Sequence, residues 1–158
     1  MPVISSPTAT GGVPPVVLVG CGARKADGPS IVAELYTGPY FRACLLAALT
    51  IAPRDRVLVL SALHGLLGLD DGPIVPYEVT LGQPDAIDAS RIQAQAAARQ
   101  IADAPVVALC GKRYAALARQ VWATVETPLA GLGIGRQLHA LALLRTGQHA
   151  VLSESRTR

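Results

Sequence analysis

The sequence has few aromatic residues and few charges, and both shortages limit what the chain can be. Aromatic residues make up 4% and charged residues 16% of its 158 positions. Hydrophobic residues make up 51%, which excludes a disordered chain, because such chains hold too little apolar surface to fold. A chain of this length and composition is expected to form one domain that needs neither disulfides nor a structural metal.

The chain also lacks a strong charge of either sign. Fourteen Lys and Arg residues oppose eleven Asp and Glu residues, so the net charge is only +3, and the basic residues are scattered along the chain. Proteins that bind nucleic acid usually carry a dense basic patch, because phosphate contacts supply much of their affinity. Nucleic acid is therefore an allowed partner that the composition does not favour.

Cysteine is scarce, and no apolar run is long. Cys21, Cys44 and Cys110 follow no zinc-ligand spacing, and an odd number of thiols favours a reducing compartment. The longest apolar stretch, residues 43–52, is about half of the roughly 20 residues that a membrane helix needs. We therefore expect a cytoplasmic protein with no membrane partner, no metal and no other cofactor.

Short apolar runs alternate with helical patterns along the chain. Continuous apolar runs predict buried parallel strands at residues 16–19, 57–60 and 106–109. Helix-period spacing and helix-boundary residues predict helices at residues 40–51, 84–101, 112–125 and 134–144. This alternation predicts a three-layer α/β domain, with an open, mainly parallel sheet and helices on both faces.

The predicted domain spans residues 15–150. Residues 1–14 are rich in Ser, Thr, Pro and Gly and are expected to form a mobile N-terminal arm. Residues 151–158 are expected to form a flexible tail.

Polar residues follow each predicted strand, where the carboxyl ends of a parallel sheet form a functional crevice. Cys21 and Lys25 follow the first strand, and Ser61 and His64 follow the second. Gly111 and Lys112 follow the third. Lys25 and Lys112 are the only lysines in the chain, and a compact ammonium suits a phosphate, although two lysines can also fall there by chance.

His64 and Glu78 are the candidate catalytic residues. An imidazole titrates near neutral pH and can transfer a proton, although a lone histidine can equally be structural. Glu78 lies in a loop whose apolar neighbours are expected to hold it against the core, near the end of the second strand. The alternative is a solvated loop acid.

Glycines and tyrosines complete the candidate site. Gly111 and Gly135 lie at predicted helix starts, where backbone amides can bind phosphate, although tight turns would also need glycine. Tyr36 and Tyr77 are expected near the same edge of the sheet, where a ring can stack on a base. The predicted substrate-binding set is Cys21, Lys25, Tyr36, Ser61, Tyr77, Gly111, Lys112 and Gly135.

Four motifs resemble an uncharacterised family of small bacterial and phage domains. They read Cys21-Gly22-Ala23-Arg24-Lys25, Leu35-Tyr36-Thr37-Gly38-Pro39-Tyr40-Phe41, Leu60-Ser61-Ala62-Leu63-His64-Gly65-Leu66-Leu67 and Pro76-Tyr77-Glu78-Val79-Thr80-Leu81. Gly22 and Gly38 stand where the family has serine, and Glu78 stands where it has aspartate. The family is distantly similar to the peroxide-stress YaaA-like proteins and is found beside deazaguanine transglycosylases. The resemblance implies chemistry at the N-glycosidic bond of a nucleotide or nucleic acid.

The leading hypothesis is an N-glycosidase or base-exchange enzyme acting on a nucleotide or related nucleoside. Glu78 would stabilise an oxocarbenium-like sugar and orient water, and His64 would protonate the departing base. Lys25 and Lys112, with amides near Gly111 and Gly135, would hold a phosphate. A covalent role for Cys21 is a rival mechanism. The competing hypotheses are a non-catalytic module that binds a nucleotide or a nucleic-acid end, and a stress-response protein.

Overall fold

The computed structural model describes residues 14–146, which form a five-stranded sheet flanked by helices. The strands are β1 (Val16–Gly20), β2 (Val57–Ser61), β3 (Gly65–Gly68), β4 (Val106–Leu109) and β5 (Val125–Glu126). The helices are α1 (Val32–Leu35), α2 (Pro39–Ile51), α3 (Ala89–Ala98), α4 (Lys112–Val121) and α5 (Ile134–Arg145), with a 3-10 turn at Arg54–Arg56. Apart from Pro14, the expected arm and tail lie outside the described residues.

The strand order is β3-β2-β1-β4-β5. β1 lies in the centre and pairs in parallel with β2 on one side and with β4 on the other. β5 continues the parallel arrangement, and β3 is antiparallel to β2 at the opposite edge. The three predicted strands are therefore parallel neighbours, and their carboxyl ends meet at one edge of the sheet.

Alternate residues of β1 face two separate hydrophobic clusters. Val17 and Val19 pack in one cluster with residues of α2 and α5, including Phe41. Val16 and Leu18 pack in the other with Ile92 of α3, Ala118 of α4 and Trp122, which directly follows α4. Helices thus cover both faces, as the continuous apolar strands predict. Within residues 14–146, no helix is long and apolar enough to cross a membrane.

Two helices are shorter than predicted. α3 begins only at Ala89, because the Asp88 carboxylate caps it by accepting the Arg91 N–H at 2.9 Å. It ends at Ala98 and not at residue 101. α4 ends at Val121 because Trp122 is extended and its indole N–H donates to the Ile101 carbonyl at 2.9 Å.

Two strands were missed by the sequence analysis. β5 falls at the end of the stretch predicted as helix, because Val125 happens to lie at helical spacing from Leu117 and Val121. β3 contains four residues and has glycine at both ends, so it lacks the β-branched run that predicted the other strands.

Candidate functional site

A cavity of about 530 Å³ lies at the carboxyl end of β1 and is called here the β1 cavity. Three segments form it: the chain that follows β1, the loop over residues 78–83, and the start of α4. Its lining residues are Cys21, Gly22, Ala23, Lys25, Glu78, Val79, Thr80, Gln83 and Tyr114. The structure therefore brings together three of the residues predicted from sequence, namely Cys21, Lys25 and Glu78.

Lys25 is half-buried and firmly positioned in the wall of the β1 cavity. Its backbone forms an isolated antiparallel bridge with Tyr36. Its ammonium donates to the carbonyls of Gly22, at 3.2 Å, and Ala23, at 3.3 Å. The same Nζ atom lies 4.4 Å from the ring centroid of Tyr77, within cation–π range. These contacts hold one positive charge at the cavity wall.

Glu78 supplies the only carboxylate among the lining residues of the β1 cavity. Its loop is only partly held, since Ile74 packs against the core but Val75 is 67% exposed. Glu78 itself is exposed, so the expectation that apolar neighbours hold it against the core is corrected. The β1 cavity therefore offers one cation and one exposed anion, together with the polar groups of Cys21, Thr80, Gln83 and Tyr114.

Beside the cavity, the hydroxyls of Tyr36, Tyr77 and Ser61 form a hydrogen-bonded chain. Both the Tyr36–Tyr77 and the Ser61–Tyr77 oxygen distances are 2.5 Å. The Ser61 oxygen also accepts the N–H groups of Leu63, at 3.2 Å, and His64, at 3.0 Å. A hydroxyl oxygen has two acceptor positions, and the two N–H groups fill both positions on Ser61, so the Ser61 O–H donates to Tyr77.

Tyr36 lies at the inner end of this chain and is only 1% exposed. Burial raises the pKa of its hydroxyl to about 12, so the group stays protonated at neutral pH. A ring without exposed surface has no face on which a base can stack. The expectation that Tyr36 stacks on a ligand is therefore corrected, and Tyr36 instead supports Tyr77 from beneath.

Ser61 and His64 belong to the tight turn that joins β2 and β3. Gly65 ends the turn with φ +78°, a left-handed conformation that glycine adopts without strain. The Gln95 side chain of α3 then closes the turn, because its oxygen accepts the Leu66 N–H and its nitrogen donates to the His64 carbonyl, both at 2.8 Å. This network fixes the direction in which the His64 side chain leaves the turn.

The His64 ring packs edge-on against Tyr77, with centroids 5.2 Å apart, and it does not line the β1 cavity. Burial lowers the pKa of His64 below its usual value, and the positive charge of Arg91 lowers it further. The imidazole is therefore neutral at neutral pH. Its contact with the cavity is indirect, since Tyr77 lies between His64 and Lys25.

Three polar lining residues lie outside the predicted substrate-binding set. The Tyr114 hydroxyl lies 3.2 Å from the Cys21 sulfur, and burial together with Cys21 raises the pKa of Tyr114, so the hydroxyl is protonated. The Gln83 side chain accepts the Thr80 N–H at 3.3 Å. The turn residues Gly82 and Pro84, directly after the Tyr77-Glu78 motif, could have indicated that the chain folds back here.

Lys112 lies elsewhere than predicted. It lines a second cavity of about 400 Å³, called here the β4 cavity, and not the β1 cavity. Gly111 is the N-cap of α4 and Gly135 lies in the first turn of α5, and neither lines either cavity. Lys25 and Lys112 thus line different cavities, and the structure gives no support to the expectation that they hold one phosphate together.

Across residues 14–146, no group of three His, Cys, Asp or Glu side chains comes together as a candidate metal site. All three thiols are free. Burial raises the pKa of both Cys44 and Cys110 to about 12, so these two thiols resist ionisation. Cys21 is half-buried, and it is the only one of the three thiols that lines the β1 cavity.

Comparison with known proteins agrees with the expectation of an uncharacterised family. The uncharacterized protein YfjM of Bacillus subtilis (strain 168) is 31% identical over 137 aligned residues, which cover 78% of this chain and 90% of that protein. No solved structure matches the chain. Residues 16–143, which contain every strand and almost all of α5, match the model of a family described as a family of unknown function. The chain belongs to this family, DUF6884.

Proposed function

We propose that this chain is an N-glycosidase or base-exchange enzyme that acts on a nucleotide or related nucleoside in the β1 cavity. The observation that carries the proposal is that the Glu78 carboxylate and the Lys25 ammonium both line the same cavity. A volume of about 530 Å³ is in the range of small-molecule sites.

Cleavage of an N-glycosidic bond leaves positive charge on the sugar and a base that must gain a proton. Glu78 stabilises the oxocarbenium-like sugar and orients the attacking water, or a second base in the exchange reaction. The bond between the anomeric carbon and the base nitrogen breaks, and its electron pair leaves with the base. Water forms the new bond to that carbon and gives up its proton to Glu78; in the exchange reaction, the nitrogen of the incoming base takes the place of water. The departing base gains its proton from solvent, because Tyr114, with its raised pKa, does not readily release one.

Lys25 binds an anionic group of the ligand in this proposal, as a phosphate or as a developing charge on the base. The half-buried Tyr77 beneath the ammonium keeps Lys25 at the wall of the cavity through the cation–π contact. His64 contributes through Tyr77 as a positioning residue. Because His64 does not line the cavity, solvent and not the imidazole protonates the departing base in this proposal.

The resemblance described above adds support from outside the geometry. Proteins of similar motif pattern are found beside deazaguanine transglycosylases, which act on N-glycosidic bonds, and are distantly similar to the YaaA-like proteins. We also propose a cytoplasmic location, which the three free thiols support.

The test is to incubate the protein with nucleosides and nucleoside monophosphates and to measure released base by chromatography. We expect release from at least one nucleotide, and Glu78→Gln to lower kcat by roughly 100-fold or more with KM little changed. Glu34→Gln removes an exposed acid of α1 that does not line the cavity, and it is expected to keep full activity. Full activity in Glu78→Gln would remove the carboxylate from the mechanism.

A non-catalytic nucleotide-binding module is the second candidate. It is favoured by the exposure of Glu78, whose side chain makes no hydrogen bond within residues 14–146 and is therefore not fixed as catalytic carboxylates usually are. Calorimetric titration would distinguish the two. A nucleotide that binds the wild type, binds Lys25→Ala more weakly and is never cleaved would support the module.

A stress-response role through thiol oxidation has less support. The raised pKa values of Cys44 and Cys110 leave little reactive thiolate in the core.

A further inference from the structure

We propose that the β4 cavity is a second ligand site, separate from the β1 cavity, which binds a phosphate monoester with a small apolar or aromatic body. The cavity lies at the carboxyl end of β4, and α4 forms one of its walls. Nothing in the function proposed above requires it. Its volume of about 400 Å³ is sufficient for a small organic molecule.

The charge of the β4 cavity is positive. Lys112 and Arg119 both line it, and they lie seven residues apart on one face of α4. None of its lining residues is acidic, so no carboxylate of the lining neutralises the two cations. The lining of the β1 cavity, by contrast, contains both Lys25 and the acidic residue Glu78. An anion is therefore better matched to the β4 cavity.

A hydrogen bond to Thr127 positions one of the two cations. The Arg119 guanidinium donates to the Thr127 hydroxyl at 2.7 Å, which orients it within the cavity wall. Lys112 lies in the first turn of α4, where unpaired backbone N–H groups also favour negative charge.

The rest of the lining explains why the ligand should have an apolar body. Leu129 is buried and Leu132 packs against the core, so both present apolar surface to the cavity. Gln137 is already occupied, because its oxygen accepts the Tyr40 O–H at 2.6 Å and its nitrogen donates to the Leu132 carbonyl at 2.8 Å. Polar recognition is thus concentrated at Lys112 and Arg119, beside an apolar wall.

Three probes test the proposal by calorimetric titration: phenyl phosphate, inorganic phosphate and phenol. We expect phenyl phosphate to bind more tightly than inorganic phosphate, because only phenyl phosphate also contacts the apolar wall, and phenol not to bind. Lys112→Ala and Arg119→Gln should each weaken phenyl phosphate binding about tenfold or more, and added salt should weaken it further. Circular dichroism checks that each variant is folded.

Two matched controls separate this site from the rest of the molecule. Arg136→Ala removes an exposed cation of α5 that does not line the cavity, and Lys25→Ala removes the cation of the β1 cavity. Arg136→Ala should bind phenyl phosphate as the wild type does. Because Lys25 is proposed to bind an anion in the β1 cavity, Lys25→Ala should keep only the binding that Lys112→Ala and Arg119→Gln weaken. No binding by the wild type, undiminished binding by Lys112→Ala and Arg119→Gln, or complete loss of binding in Lys25→Ala would each overturn the proposal. None of these results depends on whether Glu78 supports base release.

Discussion

At the residue scale, the Leu60-to-Leu67 motif has a structural explanation for most of its members. Ser61 accepts two N–H groups of the turn, and Ala62 is fully buried and accepts the Ile87 N–H through its carbonyl. Gly65 adopts the left-handed conformation that ends the turn. His64 is the member whose side chain the turn itself does not need. Its ring instead packs on Tyr77, which in turn lies under the Lys25 ammonium.

His64 should make the stability of the protein depend on pH. Burial and Arg91 hold the pKa of His64 below its usual 6.5, so the unfolded chain binds the proton more readily than the folded protein. The free energy of unfolding should therefore fall as the pH drops below about 6.5 and towards the folded-state pKa. His64→Gln should reduce this fall. Urea unfolding at a series of pH values between 7.5 and 5 measures it.

His139→Gln is the matched control, because it removes an exposed histidine of α5 that is remote from the hairpin. An acid-induced loss of stability that is as steep in His64→Gln as in the wild type would show that other groups are responsible.

At the scale of elements, the β2–β3 hairpin is locked to α3 through one side chain. Gln95 bonds both the His64 carbonyl and the Leu66 N–H, so it occupies the space directly beside Gly65. A Cβ at residue 65 would collide with the Gln95 amide. The contact between the hairpin and α3 therefore requires that residue 65 has no side chain.

Gly65→Ala should destabilise the protein by about 2 to 4 kcal/mol, because it adds left-handed backbone strain and displaces a side chain that makes two hydrogen bonds. Chemical unfolding measures the loss. Gly28→Ala is the control, since nothing lies within 4 Å of the position that its Cβ would take, and we expect its effect to stay within roughly 0.5 kcal/mol. If the two variants had the same free energy of unfolding, the contact between α3 and the hairpin would not contribute to stability.

The elements that the sequence predicts well are those with a continuous pattern. β1, β2 and β4 are uninterrupted apolar runs, and α2 has Pro39 at its start and Pro53 just beyond its end. The helix predicted at residues 112–125 extends too far because helical spacing does not register the extended backbone at Trp122. Single-residue backbone angles of this kind depend on tertiary packing, which periodicity does not contain.

The sequence predicts only the part of the candidate site that depends on where the strands end. The rule that strand ends meet at one edge correctly brings Cys21 and Lys25 to a cavity. It does not indicate that the loop through Thr80 and Gln83 lines the same cavity. It also does not indicate that Lys112 lines a different cavity from Lys25. Both facts depend on the path of the chain between the elements, which has no periodic pattern.

At the scale of the whole molecule, one sheet serves two hydrophobic clusters. The cluster with α2 and α5 contains Leu141, and the cluster with α3 and α4 contains Ile92 and Trp122. The strands between them supply side chains to both. Loss of packing on one face should therefore weaken the other face as well.

Leu141→Ala and Ile92→Ala should each cost about 2 to 5 kcal/mol, the range for deleting a buried aliphatic side chain. Unfolding should remain a single transition in both variants. Trp122 is the only tryptophan in the chain, so tryptophan fluorescence reports unfolding on one face of the sheet. Circular dichroism reports the unfolding of all helices. In Leu141→Ala the two signals should shift together, although Trp122 lies on the opposite face. Separate midpoints would mean that the two faces unfold independently.

The central position of β1 also has a consequence for the order in which the chain can fold during synthesis. β1 is the first of the described strands to be made, yet Val16 pairs with Val106, about ninety residues later in the chain. Pairings of such long separation slow folding, because the loop between them must close first. Until β4 has been synthesised, β1 can pair with β2 alone, and its other side carries unpaired backbone groups of an apolar strand. The nascent chain thus exposes an open strand edge until the residues of β4 have been made.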